Sequence, residues 1–253
     1  MILTSKNNPL IKETASLKDK KFRKQLGLFL VEGVKMTKEA LQSACEVERI
    51  FICDSFEGDL SFLDGVDQEK IVYVSPAVMQ SLSDEKTPQG VLCRVKIPSI
   101  NLQAPKNSCL ILDGIADPGN MGTIIRTANA SGYEEIYLTP SCADPYSPKS
   151  VRASMSGIFF TRIYQAERTQ ILQTLQDIPV IVADMGGENM FTFTAPSKFA
   201  LVIGNEANGV SAECRERATY TVKIPMRATQ ESLNAGVSAG ILAYALKKGE
   251  FLE

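Results

Sequence analysis

CLILDGIADPGNMGTIIR, residues 109–126, changes character twice. Its first four residues are apolar without alternation, the pattern of a short strand buried on both faces. DGIADPG then interrupts with two glycines and a proline, and 121–130 resumes with apolar side chains at helical spacing. Strand, glycine-bearing loop and helix make half of a βαβ unit. The alternation continues downstream: a strand at 135–138, a helix at 168–176, apolar runs at 180–183 and 199–203, and a long helix at 234–248. Elements of these lengths predict an α/β fold with a mostly parallel sheet covered on both faces.

Upstream, PSINLQAPKN at 98–107 has two prolines, two asparagines and no periodicity, and reads as a linker. Before it lies a second, smaller α/β unit. Asn8-Pro9 is a helix start, with Asn as cap and Pro at the first helical position. Gly27 can end that helix, 28–31 follows as a strand and 35–43 as a helix. Strands at 47–53, 71–74 and 91–95 follow from their β-branched content. The expected division is 1–97, a linker at 98–107, and 108–253.

Composition narrows the chemistry. The chain has 253 residues, no histidine and no tryptophan. A Ser-His-Asp or Cys-His nucleophilic site, a histidine base and a histidine-bearing zinc site are all excluded. Proton transfer falls to Asp, Glu, Lys, Tyr, Cys, water or substrate. The six cysteines show no C-x-x-C spacing, so no metal is expected, and reduced thiols point to the cytoplasm. No run of about 18 apolar residues is present to cross a membrane. Net charge is −2, but residues 1–38 hold nine Lys/Arg against three acids, a net of +6 that leaves −8 on the remainder. A basic arm on an acidic body points to a polyanion, most simply nucleic acid, unless it is an ordinary solvated helix face.

Three loops stand where strands should end, the place where open α/β sheets bind ligands. In 113–126, Gly119 and Gly122 allow close backbone approach, Asn120 can cap the helix, and Arg126 follows inside it. This spacing is neither the dinucleotide fingerprint nor a P-loop, and a weak anion site and a plain glycine turn are both open. In GNEANGVS, 204–211, Glu206 lies between Gly204 and Gly209 and could serve as base, ligand or turn residue. In IPMRATQESLN, 224–234, Pro225 stops a strand, and Ser232 and Asn234 suit a helix start. Gly236 and Gly240 then share one face of the long helix, which calls for very close packing against another backbone, with Lys247 and Lys248 ending it in water.

In order and spacing, these segments resemble the three motifs of the SpoU (TrmH-like) RNA 2′-O-methyltransferases of the SPOUT superfamily: N-x5-R at 120–126, G-x-E-x-x-G at 204–209 and I-P-M…S-L-N at 224–234. VRASMSGIF at 151–159 resembles a further stretch of that family, with Ser156-Gly157 in place of its usual Gly-Ala or Gly-Ser. The similarity covers roughly 108–248. The N-terminal unit, with FLVEG at 29–33, looks like the substrate-binding domain of rRNA-modifying members.

The resemblance implies a C-terminal SPOUT domain with a deep trefoil knot, a homodimer, and S-adenosyl-L-methionine bound near Gly204, Ile224, Met226 and Leu233. It implies methyl transfer to a ribose 2′-hydroxyl of RNA, most simply ribosomal RNA. Arg126 would be central, Asn120 would orient it, and Glu206, Ser232 and Asn234 would shape the site. Because a guanidinium keeps its proton in proteins, stabilising the alkoxide and holding a phosphate that accepts the proton is favoured over direct deprotonation. RNA contacts are expected from Lys18, Lys20, Lys21, Arg23, Lys24 and Arg152. Alternatives are a tRNA ribose methyltransferase, a ribosomal antibiotic-resistance methyltransferase, and a non-enzymatic RNA-binding or assembly factor.

Overall fold

The structure is a computed structural model that describes residues 2–251. The chain divides into two compact units, one formed by residues up to Ser99 together with Tyr146–Phe159, the other by Ile100–Pro145 together with residues from Phe160 onward. The 98–107 stretch is thus one of three places where the chain passes between units.

The first unit is built on a mixed five-stranded sheet in the order β1 (Ile2–Leu3), β4 (Ile71–Val74), β3 (Val47–Cys53), β5 (Val91–Lys96), β2 (Leu28–Glu32). β1, β4 and β3 run parallel, and β5 pairs antiparallel with β3 and β2. LFLV in β2 has no polar alternation because both its faces are covered. Leu28 and Leu30 join a cluster with Ile11 of α1 (Pro9–Ser16) and Val78 of α4 (Pro76–Leu82). Phe29 meets Tyr146 at 5.0 Å between ring centres. α3 (Val34–Gln42) packs on β2 and β5, and α6 (Pro148–Ser154) on β2. A single turn, α7 (Gly157–Phe160), follows.

Asn8 caps α1 as expected, its Oδ1 accepting the Leu10 amide at 2.9 Å. The helix does not run on to Gly27, however. Asp19 accepts the Lys21 amide at 2.8 Å and starts α2 (Lys20–Leu26), which Gly27 ends at φ +64°. An Asp with extended backbone restarts a helix rather than continuing one.

The second unit carries a six-stranded, wholly parallel sheet in the order β11 (Tyr220–Lys223), β9 (Val180–Asn189), β10 (Ala200–Gly204), β6 (Cys109–Asp113), β7 (Glu135–Leu138), β8 (Arg162–Gln165). From β6 the chain adds β7 and β8 on one side, then returns through α8 (Arg168–Thr174) to build the other side. The order therefore reverses between β6 and β10, where Asp113 and Gly204 are in register. That switch point is the expected ligand site of such a sheet. α9 (Ala212–Glu216) precedes β11. α5 (Pro118–Ala130) and α10 (Ala235–Leu246) pack together, with Gly236 against Thr123 and Gly240 against Thr127. Threonine side chains, not a bare backbone, occupy the space those glycines leave.

Lys247 is a correction. It does not end α10 in water but is 6% exposed, donating to the carbonyls of Ser131 (3.3 Å) and Gly132 (3.1 Å) above the Tyr133 ring. Free carbonyls at the end of α5 and an aromatic face together hold the ammonium.

A Cβ on Gly204 would lie 2.3–2.5 Å from the Gly209 carbonyl group and the Val210 nitrogen, all backbone. Gly204→Ala is expected to cost about 3 kcal/mol, the upper range of overpacking, in urea unfolding. Gly249→Ala, which meets nothing within 4 Å, is the neutral control; equal midpoints would contradict the packing.

Candidate active site

Asp113 ends β6 with its side chain 1% exposed. Its Oδ1 accepts from Nε of Arg168 at 2.9 Å and lies in ion-pair contact with Nη2 at the same distance, and its Oδ2 accepts from the Ser211 amide at 2.8 Å. Burial pushes its carboxyl up, but Ser211 and Arg168 outweigh burial and hold it below the usual aspartate value. The buried charge fixes where the segment after β10 begins its helix.

Between those anchors, 204–209 forms a tight hairpin. Asn205 and Gly209 exchange two backbone hydrogen bonds of 2.9 Å, with Gly209 at φ +67°. The Asn205 side chain accepts from the Ala207 and Asn208 amides and donates to the Gly114 carbonyl at 2.7 Å. Glu206 is thereby aimed at the loop after β6. Its carboxylate accepts from Ala116 N at 3.2 Å, Asp117 N at 3.5 Å and Asn120 Nδ2 at 2.8 Å.

A carboxylate only accepts, so Glu206 fixes which way the Asn120 amide points. Asn120 Oδ1 then accepts from Asn234 Nδ2 at 2.9 Å, and Asn234 Oδ1 accepts the Val237 amide at 3.2 Å, capping α10. One chain of hydrogen bonds joins all three loops. Two expectations change. Asp117, accepting Asn120 N at 2.8 Å, is the cap of α5. Asn120 is committed to Glu206 and Asn234 and makes no hydrogen bond to Arg126 among the described residues. Burial raises the Glu206 carboxyl, but the Asn120 amide and the surrounding backbone N–H groups outweigh it and hold the group below its ordinary 4.5. An ionised acid satisfied this way is a poor general base near neutral pH.

Beside this chain lies a cleft of about 360 Å3, within the range of small-molecule sites. Gly204, Glu206, Ile224, Met226, Ser232 and Leu233 all line it. Its apolar side chains suit a flat heteroaromatic ring, and the carboxylates of Glu206 and Glu231 suit a cation. That donor set fits S-adenosylmethionine, with its purine, ammonium and sulfonium.

Arg126 does not line the cleft. It is exposed on α5 and has no ion pair or hydrogen bond among the described residues. The expected RNA contacts divide. Arg23 is 3% exposed, with Nη1 on the carbonyls of Leu17 (2.7 Å) and Lys18 (2.8 Å), so it braces the break between α1 and α2 and is not a phosphate contact. Lys18 Nζ is held by the carbonyls of Ser81 and Ser83. Arg152 is not a free cation either, being paired with Asp84 and Glu85. Lys20, Lys21 and Lys24 are exposed. All six cysteines are free and five are buried. Burial pushes the Cys93 thiol up to about 12 and Cys214 up to about 11, so neither is a ready thiolate.

Sequence reasoning passed over Asp113, Arg168, Asn205 and Asp117. Asp113 left one signal, a carboxylate closing an unbroken apolar run.

Comparison with known proteins matches residues 107–244 to the SpoU rRNA Methylase family and residues 8–93 to an MRM3-like substrate binding domain. A 23S rRNA (guanosine(2553)-2′-O)-methyltransferase of Bacillus subtilis is 29% identical, with 97% of this chain and 98% of the relative aligned. An AdoMet-bound rRNA methyltransferase from Sinorhizobium meliloti superposes with a TM-score of 0.89 at 25% identity, covering 98% of both chains. The SpoU methyltransferase AviRb of Streptomyces viridochromogenes, in complex with AdoMet, superposes at 0.87 with 25% identity over 97% of this chain and 99% of that one.

With the Glu206 carboxyl lowered in the folded chain, its contribution to stability is present above the unfolded value near 4.5 and is lost as pH falls through the folded one. The stability gap between the native sequence and Glu206→Gln is expected to be open at pH 7 and to close toward pH 3 in urea unfolding. A gap independent of pH would contradict the assignment.

Proposed function

The chain belongs to the SpoU rRNA methylase family, and from that membership we propose that it transfers a methyl group from S-adenosylmethionine to a ribose 2′-hydroxyl of ribosomal RNA. The observation that carries this reading is the Glu206–Asn120–Asn234 chain, which ties three motif loops together beside a cleft of suitable size and charge. Gly204, Ile224, Met226 and Leu233 would hold the cofactor. Bound there, S-adenosylmethionine supplies an activated methyl group whose departure leaves a neutral thioether.

The protein's own part is to place and polarise the hydroxyl. Arg126 has an uncommitted positive charge, which suits stabilising the alkoxide as it develops and holding a neighbouring RNA phosphate. The hydroxyl proton then passes to a phosphate oxygen, since the guanidinium cannot take it. Glu206, Asn120 and Asn234 act as rigid supports, and Ser232 lines the site.

The first unit would bind the RNA, using Lys20, Lys21 and Lys24 once Lys18, Arg23 and Arg152 are set aside. Val237, Ile241 and Tyr244 recur at helical spacing on α10, and Val237 and Tyr244 are 50% and 43% exposed. Such a stripe supports a homodimer. A trefoil knot is the threading expected of this family, and close backbone approaches at Gly187 and Gly204 accord with it. The similarity to a bacterial rRNA methyltransferase supports a cytoplasmic activity.

Arg126→Ala is expected to keep S-adenosylmethionine affinity by calorimetry and to lose at least about 100-fold in methyl transfer, the range of one preorganised transition-state donor, in a tritium-methyl assay. Near-normal turnover would remove Arg126 from the mechanism. Changing Lys20, Lys21 and Lys24 together to Gln should lower the slope of log affinity against log salt by about two to three for RNA; an unchanged slope would move the RNA face elsewhere.

A further inference from the structure

β9 does not pair evenly with β11. Thr221 sits opposite Val182, yet the next residue, Val222, sits opposite Glu188. Residues 183–187 therefore leave the ladder and return to it. Gly187 allows the return, since a Cβ there would lie 2.5–2.6 Å from the backbone of Thr221 and Val222. Ala183, Asp184 and Met185 of this excursion form a wall of the cleft, and 204–209 supplies residues to it as well.

Arg215 of α9 touches both. Its Nε donates to the Val210 carbonyl at 3.0 Å, at the base of the hairpin, and Nη2 lies 3.4 Å from where a Gly209 Cβ would stand. Its Nη1 donates to Asp184 Oδ2. The other oxygen of Asp184 accepts the Gly186 amide at 2.9 Å, which shapes the excursion's turn. The Gly186 amide is the leading cause that lowers the Asp184 carboxyl, with Arg215 adding to it against desolvation. The Asp184 charge is thus spent inside the protein, on shape.

We propose that Arg215 and Asp184 form a clamp that sets the spacing of two cofactor-cleft walls, making Arg215 a positioning residue for S-adenosylmethionine. The inference rests on the reading of the cleft as the cofactor site. Arg215 and Asp184 are 46% and 23% exposed, so the pair contributes little to global stability. Its effect belongs in the preorganisation of the cleft.

The test is calorimetry of the full-length chain with S-adenosylmethionine, accompanied by thermal unfolding and steady-state methylation. Arg215→Gln and Asp184→Asn are each expected to weaken binding roughly five- to ten-fold, the scale of one charge-assisted hydrogen bond. The double variant should be no weaker than Arg215→Gln, which by itself already loses the bond to Asp184 along with that to Val210. Arg215→Lys, which can still reach Asp184 as a point charge, should recover part of the affinity. The kcat at saturation and the KM for RNA should stay put while the KM for S-adenosylmethionine rises. Native affinity in Arg215→Gln, losses that multiply in the double variant, or collapse of the fold would each overturn the clamp. Failure of the unaltered chain to bind S-adenosylmethionine would instead overturn the cofactor reading, and the clamp with it.

Discussion

A single buried carboxylate at the switch point holds the second unit's site together. Asp113 lies where β6 ends and the strand order reverses, almost without solvent. A lone charge there would be costly, and it is tolerated because Arg168 and the Ser211 amide both point at it. Each of those partners belongs to a different element. Arg168 ties α8 to the end of β6, and Ser211 fixes the residue from which α9 starts. With that point set, the chain between Gly204 and Ser211 closes as the Asn205–Gly209 hairpin, with Glu206 turned toward Asn120. The order of dependence runs from buried charge to loop, and from loop to the side chains of the proposed site.

The same hierarchy explains how a site can be built without histidine. Glu206, Asp113 and Asp184 are all held in their ionised form by hydrogen bonds, so they serve as fixed acceptors that orient other groups. Buried thiols are pushed away from thiolate. The group proposed to act on substrate is a permanent cation, Arg126, standing outside the locked network. In the proposed reaction the frame is rigid and the acid-base work passes to the RNA itself. An enzyme with a preactivated donor can place its effort in geometry and charge, not in proton shuttling.

Much of this architecture was legible in the sequence, for a physical reason. Parallel strands buried on both faces read as unbroken apolar runs, so 109–112, 135–138, 180–183 and 199–203 fell close to β6, β7, β9 and β10. The loops were legible because glycine, asparagine and proline mark conformations that other residues resist. The short edge elements were not. β1 has only two residues, and β8 (RIYQ) and β11 (YTVK), no shorter than β7, are only partly buried and carry polar residues at their ends in place of an unbroken apolar run. Arg23 and Lys247 were misread for a different reason. Both look like surface charges in one dimension, and only the fold brings backbone carbonyls around them. The clamp between Arg215 and Asp184 spans 31 residues, and nothing local announces it.

The path of the chain bears on how the first unit works. The 151–159 stretch resembles part of the catalytic family pattern, yet Tyr146–Phe159 packs with the N-terminal sheet. Tyr146 meets the Phe29 ring at a tilt of 46°, α6 lies on β2, and the Cys45 thiol reaches the Phe159 carbonyl at 3.9 Å. The unit therefore takes its core from two stretches separated by about fifty residues of the other unit. Excising residues before 100 would strip Tyr146 and Val151, 7% and 3% exposed, of the sheet that covers them. Loss of RNA affinity after such a deletion would then mix lost contacts with lost folding. Point changes at exposed lysines keep the core intact, so they can assign RNA binding to this unit where a truncation cannot.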